Sequence, residues 1–378
     1  MQYAIKDLIG EKIIVQGALD YDNRGEGISP RRLPAWTRSQ IPQLMDVMVR
    51  MPSGVRLRFN TDSTSIGITF HATNLVTPPR PRRPIPLTLE VNGERYAKFS
   101  TEGNQIILNS DDRTDFKLER GPPDTVLFND LTAGEKTCEL WLPHNAFIEL
   151  RTLTIDDRST ISLAPPDDRT QWIHYGSSIS HCMEAEDPSL IWPAVAARIS
   201  NHCLQNLGFG GQCHLDQFVA RTIRDSNAEV ISIKAGINVI NMDSMKERIF
   251  EPTLHGFLDT IRDRKKSEPI FVVSAIYCPA AEHHPGPTIP DAEGKFITIP
   301  GHAQVRDGCM TLLQSRVVLE RVVTVRREAG DDNLYYVNGL DLFGEADAGN
   351  LPDDLHPNPE GYVRMGERFA EKVLSSIK

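Results

Sequence analysis

The 378-residue sequence contains no apolar run long enough to cross a bilayer, so no membrane-spanning helix is expected. Its opening, "MQYAIKDLIGEKIIVQG", sets acids and lysines where a signal peptide needs an unbroken apolar centre. Positive charge is in deficit as well: the formal charge is -10, whereas a nucleic-acid-binding protein usually presents a basic face. Neither nucleic acid nor a membrane is an expected partner, and nothing in the chain dictates an oligomer. The six cysteines (Cys138, Cys182, Cys203, Cys213, Cys278 and Cys309) are scattered, without a Cys-x-x-Cys pair. Dispersed thiols and no export signal point to a reducing, cytoplasmic setting.

What is present suffices for real cores. Hydrophobic residues make up 40% of the chain, which excludes a disordered protein, and the length suggests two domains. Residues 1–165 read as strands separated by turns. "VRLRFN" (55–60), "SIGITFHA" (65–72), "LTLEVNGERYAKF" (87–99), "TCELWLP" (137–143) and "FIELRTLTI" (147–155) all alternate apolar and polar positions. Asn92-Gly93 marks a tight hairpin. The one helical candidate here is "QIPQLMDVMVRM" (40–51), and the expected fold is an all-β sandwich or jelly roll. "TPPRPRRPIP" (77–86) lies between two strand patterns and reads as a stiff loop rather than a polyproline ligand.

After a linker at "APPDDRT" (164–170) the pattern changes, and residues 166–378 form a second expected domain. Continuous apolar strands ("QWIHYG", "CLQNLGFG", "EVISIKAG", "PIFVVSAIY", "NLYYVNGL") alternate with helical stretches around 247–265 and 303–328 and in "LDQFVARTIRD" and "EGYVRMGERFAEKVLSSI". A further helix is expected in "DPSLIWPAVAARIS", with Asp187 as N-cap and Pro188 at the first helical position. Such alternation predicts a parallel sheet covered on both faces, with sites at the carboxyl ends of its strands.

Four features sit at those strand ends. "WIHYGSSISHC" (172–182) leaves a strand into Gly176-Ser177-Ser178, which puts the Ser178 hydroxyl at the sheet edge near backbone N–H groups. The alternative is a polar turn, and a Gly-x-Ser-x-Gly elbow is missing, since Ser180 stands where its second glycine would be. In "NLPDDLHPNPEGY", Asp353 and His356 are three apart, so on one helical turn they share a face and the carboxylate could hold the imidazole. Read blandly, this is an acidic loop before the last helix. Asp354, at a spacing of two, is the poorer partner. "NLGFGGQ" offers the Gly211 N–H and "AGINVIN" the Asn238 amide as donors to a developing oxyanion, although a tight turn and a helix cap would explain each alone.

Taken together, Gly176-Ser177-Ser178-Ile179, Gly211, Gly236-Ile237-Asn238 and Asp353-x-x-His356 resemble the four blocks of the SGNH (GDSL-type) hydrolases over residues 170–378. The resemblance implies a flavodoxin-like doubly wound sheet. It implies Ser178 as nucleophile, His356 as base and acid and Asp353 as the orienting acid. The oxyanion donors it implies are the Ser178 N–H, the Gly211 N–H and the Asn238 side chain. Where that family usually has Asp before the serine, this chain has Ser177. A sandwich ahead of such a domain is similar to the arrangement in two-domain carbohydrate esterases.

The expected activity is therefore hydrolysis of a short-chain ester, acetyl foremost, of a small polar or carbohydrate-like substrate. Alternatives are acyl transfer by the same residues, or glycan binding beside an idle domain. No cofactor and no metal is expected: Cys182, Cys213, His181 and His214 lack finger-like spacing and read as lining or core. Ile237, with Met183, Val239, Ile240 and Met242, could line a modest apolar slot. Trp36 and Arg38, beside Arg31 and Arg32 in "SPRRLPAWTRSQ", are the N-terminal residues expected to hold substrate by stacking and charge; the alternative is a surface loop with a packed Trp. The loop 278–302, with His283 and His284, is long for a connection of this kind and reads as a lid or a disordered excursion.

Overall fold

A computed structural model describes residues 1–78, 81–109, 115–299 and 308–377. The chain divides into two compact units, one of Met1–Asp168 with Glu186–Ser189, the other of Arg169–Ala185 with Leu190–Lys378.

The first unit is a pair of β-sheets with their apolar faces packed together. Among the described residues one sheet has eight strands, the other six, and pairing is antiparallel except between Ile66–Val76 and Asn104–Leu108. Period-two sequence alternation becomes alternation of burial along Ile66–Val76, whose Ile66, Ile68 and Phe70 face inward. They meet Leu57, Phe59, Leu87, Leu89 and Leu140 of the other sheet in one core. Strands Ile85–Val91 and Glu94–Ser100 form the hairpin that Asn92-Gly93 announces. Both turn residues take positive φ (49° and 84°), the geometry whose twist matches the flanking strands. Helix Gln43–Val49 lies within the expected 40–51 stretch, and a four-residue helix, Ile5–Leu8, had no clear periodicity to announce it. The proline-rich stretch 77–86 is described except for residues 79 and 80.

In the second unit five strands form one parallel sheet. Strand His202–Gly208 is at one edge, followed by Thr170–Gly176, Val230–Lys234, Ile270–Val273 and Leu334–Val337. In chain order this is 2-1-3-4-5, the flavodoxin-like arrangement with its switch point beside the first strand. Val230–Lys234 and Ile270–Val273 are buried throughout, as strands covered on both faces must be. Trp172 stacks on Phe369 of helix Pro359–Lys372, while Tyr175, three residues on and on the opposite face, stacks on Phe257 of helix Glu247–Arg262.

Several element boundaries differ from expectation. Helix Trp192–Ile199 begins at Trp192 with Ile191 as N-cap, five residues after Asp187. The Asp187 carboxylate is taken instead by the Ser189 N–H and hydroxyl and by the Arg95 guanidinium. The strand expected in "PIFVVSAIY" stops at Val273. The helix expected from about 303 runs from Leu312 to Glu328 behind a Thr311–Gln314 capping box; residues 300–307 lie outside the described residues. Among the described residues no helix is long and apolar enough to cross a membrane.

Candidate active site

Ser178 stands at the carboxyl end of strand Thr170–Gly176, at the switch point of the sheet, as the first residue of the short helix Ser178–His181. The preceding Ser177 is its N-cap: fully buried, it accepts the Ile179 N–H with its hydroxyl. Serine and aspartate are both good N-caps, so the departure from the family's Asp keeps the local hydrogen bond. The turn is pressed against the neighbouring strand. A Cβ on Gly208 would come within 2.4 Å of the Ser180 carbonyl carbon, so only glycine allows that approach.

His356 reaches this serine from the segment before the last helix. Its Nε2 lies 2.9 Å from Ser178 Oγ and its Nδ1 lies 2.9 Å from Asp353 Oδ2. An ionised carboxylate can only accept, so Nδ1 carries the proton and Nε2 is left to accept from the serine hydroxyl. Asp353 and His356 come together without a helix, which corrects the expected one-turn geometry. Asp353 Oδ1 accepts the N–H groups of Leu355 (3.1 Å) and His356 (2.7 Å), folding the carboxylate back over its own chain. Asp354 takes the left-handed conformation inside that turn, with φ 62°. Its own carboxylate points away to Lys295, 3.1 Å off. Burial works to raise the Asp353 carboxyl, but the hydrogen bond and charge of His356 and the two N–H groups outweigh it and hold the group well below the usual carboxylate range. It stays ionised at any working pH.

The two expected oxyanion segments are joined to each other. Asn238, buried in helix Ile237–Asn241, accepts the Cys213 N–H on Oδ1 at 2.9 Å. That bond fixes the donor end of its amide as the one available to a ligand. Gly211, at φ 68°, opens the loop leading to Cys213. Its carbonyl accepts His214 Nε2–H at 3.2 Å, and the Nδ1 of the same ring then accepts the Ser244 hydroxyl at 2.9 Å. Met242 flanks the turn: a Cβ on Gly211 would touch its terminal methyl at 3.3 Å. Ile237, Val239 and Ile240 are buried. Cys182 and Cys213 are buried free thiols bonded to main-chain carbonyls of Ile179 and Lys234, and among the described residues no three His, Cys, Asp or Glu side chains gather as a metal site.

Trp36 and Arg38 belong to the first unit. Trp36 is 42% exposed, and the Arg38 guanidinium is held by Asp20 and Asp22 and the Tyr21 carbonyl. Arg31 is buried among Asp20, Asp22 and Asp46, and Arg32 donates to the Met48 carbonyl. His283 and His284 are exposed in a loop that carries helix Pro279–Glu282 and then a hairpin of Thr288–Pro290 and Phe296–Thr298.

Sequence reading missed the polar network beneath the serine turn. His174 bonds Ser180 Oγ through Nε2 and Ser232 Oγ through Nδ1, both at 2.7 Å, and Trp172 Nε1 donates to the same Ser232 hydroxyl at 2.8 Å. Burial, aided by the charge of Lys234, holds the His174 ring neutral. The signal was available: period two places Trp172, His174 and Gly176 on one face. Lys234, on the Ser232 face, is fully buried, and its Nζ has no hydrogen-bond partner among the described residues. Burial pushes its ammonium down to about 8. The unfolded lysine titrates near 10.4, so the cost of burying the charge is absent above that pH, grows as pH falls, and is complete below about 8, where it reaches about 3 kcal/mol. Lys234→Met, of similar volume, is therefore expected to raise the melting temperature by several degrees at pH 7 and by much less at pH 10. A lower melting temperature at pH 7 would contradict this.

Residues 170–282 match the GDSL-like Lipase/Acylhydrolase family model, and residues 13–151 match the SsfX3 N-terminal domain model. No curated protein matches the sequence. Among solved structures, the salicylyl-acyltransferase SsfX3 from a tetracycline biosynthetic pathway is 26% identical, with a TM-score of 0.82 over 100% of this chain and 97% of that one. A family two carbohydrate esterase from Clostridium thermocellum, solved with cellohexaose, is 14% identical (TM-score 0.61; 97% of this chain, 99% of that one). An acetyl xylan esterase from Butyrivibrio proteoclasticus is 10% identical (TM-score 0.56; 100% and 99%). The second unit thus carries a GDSL-like lipase/acylhydrolase match on an SGNH-hydrolase fold, and the whole chain shares its architecture, preceding sheet-rich domain included, with solved acyltransferase and esterase structures.

Proposed function

We propose that the protein is a serine esterase that removes a short acyl group from a small polar or carbohydrate-like ester. The observation that carries the proposal is the chain of contacts from Ser178 Oγ through His356 to Asp353, each link 2.9 Å. In this reading Ser178 attacks the ester carbonyl as His356 Nε2 takes its proton. The Asp353 carboxylate fixes the imidazole tautomer and stabilises the imidazolium. The Ser178 N–H, Gly211 N–H and Asn238 Nδ2 receive the oxyanion. His356 then protonates the departing alcohol, and water, activated by the same ring, releases the acid. Glycan binding beside an idle domain is the weaker reading, because a retired site has no reason to keep all three contacts. The buried free thiols support a reducing, cytoplasmic setting.

Short acyl groups are favoured because the apolar candidates divide: Ile237, Val239 and Ile240 are buried, and Met242 alone of that helix end is half-exposed beside Gly211. Burying each methylene is worth about 0.8 kcal/mol, so a surface that receives a fatty chain would show as rising kcat/KM with length. Across p-nitrophenyl esters from acetate to palmitate, kcat/KM is expected to peak at two to four carbons, a range on the order of one or two buried methylenes. A steady rise beyond octanoate would sink this reading in favour of a lipid substrate. Transfer of the acyl group to an alcohol is a second reading, supported by the likeness to SsfX3 in both units. Product analysis with added alcohol and sugar acceptors separates them: free acid in excess supports hydrolysis, and a new ester in excess supports transfer.

A further inference from the structure

We infer that the hairpin Thr288–Pro290/Phe296–Thr298 holds His356 in its working position, with Phe296 as the positioning residue; this rests on the Ser178–His356–Asp353 reading. Three contacts tie the hairpin to the turn that carries the imidazole. Phe296 N–H donates to the Asp353 carbonyl at 3.0 Å. The Phe296 ring meets the His356 ring nearly at right angles, with centroids 5.7 Å apart and planes at 70°. Next to it, Lys295 pairs with the Asp354 carboxylate, while Cys278, at the start of the same loop, donates its thiol to the Asp354 carbonyl at 3.4 Å. The hairpin is in turn bound to the loop's helix, because Thr298 donates its hydroxyl to the Ala280 carbonyl.

These contacts answer a mechanical need of the turn. Asp354 holds a positive φ that a residue with a side chain adopts at some cost, so the turn needs external support to keep Asp353 and His356 aligned. The Asp353 carboxylate and the Ser178 hydroxyl hold the imidazole by its two ring nitrogens, and contacts in the ring plane restrain rotation about the line between them less than they restrain its position. An aromatic ring packed on the imidazole removes that freedom, and such ring pairs have a preferred perpendicular geometry. The same half-buried ring keeps bulk water from one side of the imidazole. Phe296 thus acts through His356 and needs no contact with substrate.

The test compares Phe296→Ala, Phe296→Leu and Phe296→Tyr in the full chain, with Ser178→Ala as the control, on p-nitrophenyl acetate. Misplacing a catalytic group by about 1 Å costs about 100-fold. Phe296→Ala is therefore expected to lower kcat by roughly 10- to 100-fold with KM within about threefold. The rate of Ser178 labelling by a fluorophosphonate should fall in parallel. Phe296→Tyr keeps the ring and should restore most of kcat. Phe296→Leu keeps apolar bulk without the ring, should remain impaired, and serves if the alanine variant does not fold. In NMR spectra the His356 ring protons should lose the ring-current shift of Phe296 in the alanine and leucine variants. Wild-type kcat in both of those variants, or a raised KM at unchanged kcat, would overturn the inference while leaving the site intact, provided Ser178→Ala is dead. An active Ser178→Ala would instead overturn the reading of the site.

Discussion

Ser178→Ala is expected to abolish turnover, lowering kcat by on the order of 10⁴- to 10⁶-fold, without changing the fold. Among the described residues the hydroxyl is hydrogen-bonded to His356, and alanine at the first position of a short helix is well tolerated. A fluorophosphonate should label the native protein and spare the variant. Ser177 provides the sharper control, because it is the neighbouring hydroxyl and a different register of the turn would make it the nucleophile. In the structure Ser177 is fully buried and spends its hydroxyl on the Ile179 N–H. Ser177→Ala should therefore keep labelling, lose about 1 kcal/mol of stability as the cap disappears, and lower kcat only as far as the turn loosens. Loss of labelling in Ser177→Ala with retention in Ser178→Ala would reverse the two roles.

The placement of Ser178 at a strand end was legible because its determinants are local: an apolar strand, a glycine, a capping serine and a helix start lie within the nine residues from Thr170 to Ser178. Asn92-Gly93 was legible for the same reason. The helix at Trp192 was misplaced because a distant arginine competes for its apparent cap: Arg95 and the Ser189 N–H occupy Asp187, and the chain becomes helical only afterwards. Phe296 had no signal at all. Its meaning lies in a pairing across 60 residues with His356, inside a loop whose length suggested a lid or a disordered excursion. Between these cases falls Asp353-x-x-His356, where the spacing was informative and its geometric explanation was not. Three residues bring the side chains together through a carboxylate folded onto two N–H groups, with Asp354 at positive φ, and a helical turn is not involved.

That turn makes the last expectation sharp. Asp353 and His356 should behave as one unit, so His356→Ala/Asp353→Ala should cost little more than His356→Ala alone, which is itself expected to cost on the order of 10⁴-fold or more in kcat. Without the imidazole there is no ring for the carboxylate to orient; without the carboxylate, the ring loses its fixed tautomer. Full additivity of the two losses would remove Asp353 from the role. The pH dependence adds an independent check. Only neutral imidazole accepts the serine proton, so kcat/KM should rise with pH through a single limb, and Asp353, held ionised far below that range, does not contribute a second one. The attraction that lowers the Asp353 carboxyl acts equally on the imidazolium across the same 2.9 Å contact. Asp353→Asn removes it, and should lower kcat by about 10⁴-fold through the wrong tautomer while moving the limb to lower pH. A limb that stays put, or moves to higher pH, would mean that the charge of Asp353 is not felt by the ring that activates Ser178.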